Sequence, residues 1–84
     1  MSKKIITIGT NEAVDARGIA EAVQLASHYE SSLHIQARNM SANVKSIMGM
    51  MTMELTRGEE ITLVAEGADE QEALEGLQHY FAGV

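Results

Sequence analysis

Two places in the 84-residue chain put chemically useful side chains at the start of a helical pattern. Ser46 follows Lys45 and precedes the apolar run Ile47-Met48-Gly49-Met50-Met51. A serine so placed caps a helix by accepting a hydrogen bond from an amide of the first turn. Phosphorylated, it would carry roughly two negative charges at the positive end of the helix dipole, beside Lys45, where they are tolerated. Asp15, followed by Ala16 and Arg17, stands before a second helical pattern. Its carboxylate predicts an N-cap over the amide of Arg17 or Gly18, worth about 1 kcal/mol. The three histidines, His28, His34 and His79, offer no pair with metal-ligand spacing on one helix, and His34 falls in the polar set of a strand pattern. No metal and no cofactor is expected.

The elements that must hold these residues alternate between periods of two and 3.6. Lys4 to Ile8 reads as a strand with Ile6 and Ile8 on one face, and Gly9 to Glu12 as a loop. After Asp15, the residues Ala16, Ile19, Ala20, Val23 and Ala26 share a helical face. Ser32 to Ala37 alternates with Leu33, Ile35 and Ala37 inward, Arg38-Asn39 is a turn, and Met40 to Val44 is a return strand. Ile47 to Met53 is a short helix on which Ile47, Met50 and Met53 suit packing on a sheet, while Met48, Met51 and Thr52 face outward. Arg57-Gly58 turns the chain into a last strand, Glu60 to Ala65. Asp69 with Glu72 predicts a capping box, and Ala73, Leu74, Leu77 and Phe81 form the apolar stripe of the final helix. The order is βαββαβα, and short loops favour an antiparallel four-stranded sheet with its helices on one face, an α+β fold.

Composition bounds what such a domain can do. Six Lys+Arg against twelve Asp+Glu leave a net charge of −6, which argues against direct contact with nucleic acid. No apolar run approaches the ~20 residues of a membrane-spanning helix. Met1-Ser2-Lys3-Lys4 leads into a strand pattern and not a signal-peptide core. With no cysteine there are no disulfides and no thiolate metal sites, and the expected compartment is cytoplasmic. No repeat or linker divides the chain, so a single domain over residues 1–84 is expected.

The stretch Asn43-Val44-Lys45-Ser46-Ile47-Met48-Gly49-Met50-Met51 resembles the regulatory serine motif of HPr, the phosphocarrier of the bacterial sugar phosphotransferase system. Ala65-Glu66-Gly67-Ala68-Asp69-Glu70-Gln71-Glu72-Ala73-Leu74 resembles the segment that opens the last helix of that family. The resemblance spans the chain without gaps and implies the HPr-type open-faced β-sandwich. The family's active centre reads Gly-Leu-His-Ala-Arg-Pro-Ala; here the aligned residues are Ala13, Val14, Asp15, Ala16, Arg17, Gly18 and Ile19. Asp15 thus stands at the histidine position and Gly18 at the proline position. A carboxylate is anionic at neutral pH and repels a phosphoryl donor, where imidazole is largely neutral. Aspartyl phosphates usually rely on magnesium held by neighbouring carboxylates, and Glu12 alone is a weak companion.

The resemblance implies a regulatory, non-catalytic HPr-like protein, phosphorylated on Ser46 by an HPr serine kinase/phosphorylase. It would bind a LacI-type catabolite control repressor through Ile47, Met48 and Met51, with Arg17 and Lys45 as further contacts; other phosphotransferase-system proteins are further partners. Glu54 falls where the family commonly carries glycine, and adds negative charge near this patch. Two alternatives stand beside this reading: a phosphotransferase component acting through Asp15, and an interaction module for a metabolic enzyme. Monomer and homodimer both remain open, since the Gly9-Thr10-Asn11 loop would permit strand exchange.

Overall fold

The computed structural model describes residues 1–83; Val84, the last residue of the expected domain, lies outside the described residues. The elements are β1 (Ser2–Thr7), α1 (Ala16–Ser27), β2 (Ser32–Ala37), β3 (Met40–Asn43), α2 (Ile47–Met53), β4 (Glu60–Glu66) and α3 (Glu70–Ala82). The sheet runs β1-β4-β2-β3 with every neighbouring pair antiparallel. Each helical crossover, β1–α1–β2 and β3–α2–β4, therefore skips one position. The gap is filled by a strand running the other way, which is how helices between strands coexist with an all-antiparallel ladder.

Register places the apolar set on one face. Ile6 pairs with Ile61, Ile35 with Leu63 and Leu33 with Ala65, all buried beneath the helices. The opposite face carries Lys3, Ile5, His34, Gln36, Thr62 and Val64. From α3, the stripe Ala73, Leu74, Leu77 and Phe81 closes the core as the spacing predicts. The face of α1 differs from expectation. Ile19, Ala22 and Ala26 are buried together with Gly18, whereas Ala16 and Ala20 face solvent. Close approach of Gly18 to the preceding loop rotates the helix about its axis, and alanine carries too little apolar area to resist.

Turns follow backbone chemistry. Arg38 and Asn39 both hold positive φ, 50° and 63°, which is the two-residue turn that matches the twist of the β2–β3 hairpin. The cost of the left-handed arginine is offset by its guanidinium, which donates to the Glu59 carboxylate and the Met53 carbonyl. Gly83 ends α3 in the left-handed conformation at φ 78°.

The predicted capping box does not form. Asp69 precedes α3, but its carboxylate makes no capping bond. Instead it accepts the amides of Glu30 (2.9 Å) and Ser31 (3.0 Å) and the Ser31 hydroxyl (2.5 Å). Ser31 is the one buried polar residue among those described, and its donors must be matched, so Asp69 serves it and ties the start of β2 to α3. The Gly67 amide donates to Glu70 at 3.2 Å, so it is Glu70 and not Glu72 that reaches back from the first turn.

These bonds, the Ser31 hydroxyl first and the Glu30 amide next, hold the Asp69 carboxyl below its ordinary value, and the Ser2 hydroxyl and Gly67 amide do the same for Glu70. A depressed carboxyl contributes stability that is present above its unfolded value and is lost as pH falls through the folded one. Melting temperature is therefore expected to decline below about pH 4. In Asp69→Asn the protein melts lower at pH 7 and loses part of that acid dependence, as a Tm series from pH 7 to 2 would show.

Candidate functional site

The first helix start is closed by its own residues. Oδ1 of Asp15 accepts the Gly18 amide at 2.7 Å, and the Ile19 amide donates to the Asp15 carbonyl at 2.9 Å. The carbonyl of Gly18 accepts the Tyr80 hydroxyl at 2.6 Å, across from α3. The Cα of Gly18 lies against the loop, and a Cβ there would sit 1.8 Å from the Glu12 carbonyl oxygen. Amide, carbonyl and Cα of one residue are thus all committed. A proline at this position has no amide to give, so the capping bond of Asp15 requires a residue other than proline at 18.

Carboxylates surround this start. An open depression of about 360 Å³ is lined by Glu12, Asp15, Arg17, Gly18 and Glu21. Burial, then the charges of Glu21, Asp15 and Glu12, push the Tyr80 phenol above its ordinary value, so it remains a donor at neutral pH. Arg17 pairs with Glu21 at 3.6 Å one turn along α1 and is largely exposed, a surface pair that contributes about 0.3–0.5 kcal/mol. Tyr80, Glu21 and the triple role of Gly18 were not visible in the sequence, because Tyr80 meets Gly18 from 62 positions away.

The second helix start is built on a hydroxyl. Oγ of half-buried Ser46 accepts the Gly49 amide at 3.1 Å, and the Met50 amide donates to the Ser46 carbonyl at 3.0 Å. Gly49 leaves the hydroxyl room, since a Cβ there would come within 3.3 Å of the oxygen. Lys45 lies next to Ser46 in the chain, but its Nζ donates to the Tyr29 carbonyl at 2.8 Å, fastening the α2 approach to the end of α1.

Beyond Ser46 the helix divides into two faces. Met50 and Met53 are buried, each 1% exposed. Ile47, Met48 and Met51 are 51%, 82% and 46% exposed and form one apolar patch. The expectation that Ile47 packs with Met50 and Met53 is corrected: it joins the outer patch, because at about 100° per residue it stands closest to Met51 and about 120° around the helix from Met53. Glu54 ends α2 at φ 50° and ψ 52°, a left-handed position that favours glycine. Among the described residues no cluster of three His, Asp or Glu side chains could hold a metal ion, and no helix is long and apolar enough to cross a membrane.

The result is a small open antiparallel sheet backed by three helices, with two self-capped helix starts and an exposed apolar patch beside the second. Comparison with known proteins agrees. Residues 2–83 match the PTS-HPr family model, described as the PTS HPr component phosphorylation site. HPr-like protein Crh of Bacillus subtilis (strain 168) is 38% identical over 80 residues, covering 95% of this chain and 94% of that one. The crystal structure of phosphocarrier protein HPr from Bacillus anthracis superposes with a TM-score of 0.91 at 34% identity, covering 95% of both chains. The Bacillus subtilis Crh crystal structure, described as a dimer with a swapped domain, gives a TM-score of 0.78 at 38% identity, covering 93% of this chain and 85% of that one. The chain belongs to the HPr family. Within it, the chain is of the Crh-like kind.

Three substitutions test the geometry, each read as a urea unfolding midpoint. Asp15→Ala is expected to cost about 1 kcal/mol, the usual worth of an N-cap. Gly18→Ala is expected to cost about 1–3 kcal/mol, since its methyl must push the loop aside. Glu54→Gly is expected to add about 0.5–1 kcal/mol, the left-handed strain relieved less the entropy cost of glycine.

Proposed function

We propose that this protein is a regulatory HPr-like protein that accepts phosphate on Ser46 and does not relay phosphoryl groups through a phosphohistidine. On this reading Asp15 replaces the active-centre histidine. Its carboxylate is already engaged by the Gly18 amide, in a depression it shares with Glu12 and Glu21. Such a site repels a phosphoryl donor and offers no free nucleophilic lone pair in a neutral group.

The observation that carries the reading is the juxtaposition at α2. A capping hydroxyl stands directly before three exposed apolar side chains, Ile47, Met48 and Met51. Phosphate added to Oγ alters the charge at the edge of that patch without touching the core. A polar charge beside adaptable methionine surface suits partner selection more than catalysis. The modifying enzyme is an HPr serine kinase/phosphorylase, and the phosphorylated form binds a LacI-type catabolite control repressor, in line with the catabolite repression named for the related Crh. The chain itself is not an enzyme on this reading. Lys45 and Arg17 serve as secondary contacts on this reading, Lys45 only after releasing the Tyr29 carbonyl.

Both one-chain and two-chain forms belong to the proposal. The Gly9 amide donates to the Phe81 carbonyl at 2.9 Å, so exchange of β1 between copies would break this bond and remake it with the partner.

Incubation with the kinase and ATP, followed by intact mass, tests the central role. One added phosphate is expected on the wild type and none on Ser46→Ala. Addition that survives Ser46→Ala, or none on the wild type, overturns the assignment. With enzyme I and phosphoenolpyruvate, no hydroxylamine-sensitive label is expected at Asp15.

A further inference from the structure

Four of the seven residues of α2 are methionines, and the fold treats them in opposite ways. Met50 and Met53 are 1% exposed and seat the helix on the core, whereas Met48 is 82% and Met51 46% exposed. Met48 and Met51 stand three residues apart, one turn, beside exposed Ile47, so their thioethers make up most of the outer patch.

We propose that Met48 and Met51 are a reversible oxidation site, at which peroxide converts the patch from apolar to polar while leaving the fold intact. The proposal rests on reading this patch as the docking surface and adds its regulation. The step balances. A lone pair on the methionine Sδ attacks one peroxide oxygen, an S–O bond forms, the O–O bond breaks, and the departing hydroxide takes the proton of the attacked oxygen and leaves as water. Sulfur loses two electrons and the peroxide gains two. A thiol-dependent methionine sulfoxide reductase reverses the change.

Two features make this more than ordinary surface oxidation. A sulfoxide is polar and chiral, so two of them in adjacent turns remove the adaptable apolar contact a partner would use. The buried pair protects the element itself, because oxidation of Met50 or Met53 would place an unpaired sulfoxide oxygen in the core. Met1 and Met40 are also exposed, but they lie on the N-terminus and β3, off this helix.

The test treats the full chain, in a Met40→Leu background, with hydrogen peroxide. Peptide mass mapping is expected to show sulfoxide on Met48 and Met51 well before Met50 and Met53, with far-ultraviolet circular dichroism unchanged. Retention on a phenyl column is expected to fall, and to return after reductase treatment; Met48→Leu/Met51→Leu, which still carries exposed Met1, is expected to lose much less retention through peroxide. Affinity of the Ser46-phosphorylated protein for the repressor is expected to drop at least about tenfold on oxidation, the loss of one good apolar anchor. Equal oxidation of all four helix methionines in the folded protein overturns the proposal, as does unchanged retention, or unchanged affinity, after Met48 and Met51 are oxidised. If the phosphorylated protein fails to bind the repressor before any peroxide is added, the functional reading falls instead, and mapping and retention alone decide the oxidation site.

Discussion

The hydrogen bond from the Gly18 amide to Asp15 is the constraint on which the first helix start depends. It exists because two positions agree: a short acceptor at 15 and a residue with a free amide at 18. Neither histidine with proline nor aspartate with proline would reproduce it, since proline donates nothing. The bond then fixes the backbone of Gly18. That brings its Cα under the Glu12 carbonyl and its own carbonyl to Tyr80, so the loop, α1 and α3 are fastened at one residue. A start so fully used has no amide left in that bond for an incoming anion, and the surrounding carboxylates oppose one.

The second start is the counterpart of the first, with a neutral hydroxyl in place of a charge. Ser46 caps its helix as Asp15 does, through the amide three residues on. The two starts differ in the residues of their first helical turns. After Asp15 come exposed Ala16 and Arg17, and after Ser46 comes the apolar patch of Ile47, Met48 and Met51. A domain of this size has too little core to bury both sides of α2. Met50 and Met53 take the inner side, and the outer side stays available for another molecule.

Much of this was legible in the sequence. Period-two alternation in Leu33, Ile35, Ile61, Leu63 and Ala65 determined the buried face of the sheet, and the stripe of α3 was read directly. Asp15 and Ser46 stood out because a short oxygen-bearing residue before an apolar helical pattern has one common local use. Local pattern misled where tertiary demands competed. Asp69 has the sequence context of a cap, yet the donors of buried Ser31, 38 positions away, claim its carboxylate. Ala16 and Ala20 fit the helical stripe but bury too little to govern which way α1 turns, and Gly18 does so by steric approach. Ile47 stands three residues before core Met50 but turns outward with Met51, four residues on. Glycine at 18 carries no side-chain signal, so its three contacts emerge only from the fold.

Whether Asp15 closes the phosphocarrier route is tested most directly in a bacterial strain deleted for its own histidine-bearing carrier and supplied with this chain alone. Uptake of a phosphotransferase-dependent sugar is expected to stay at the level of the deletion strain. Uptake restored toward that of the parent, and lost again in Asp15→Ala, would show that the carboxylate does relay phosphate and would contradict a signal confined to Ser46.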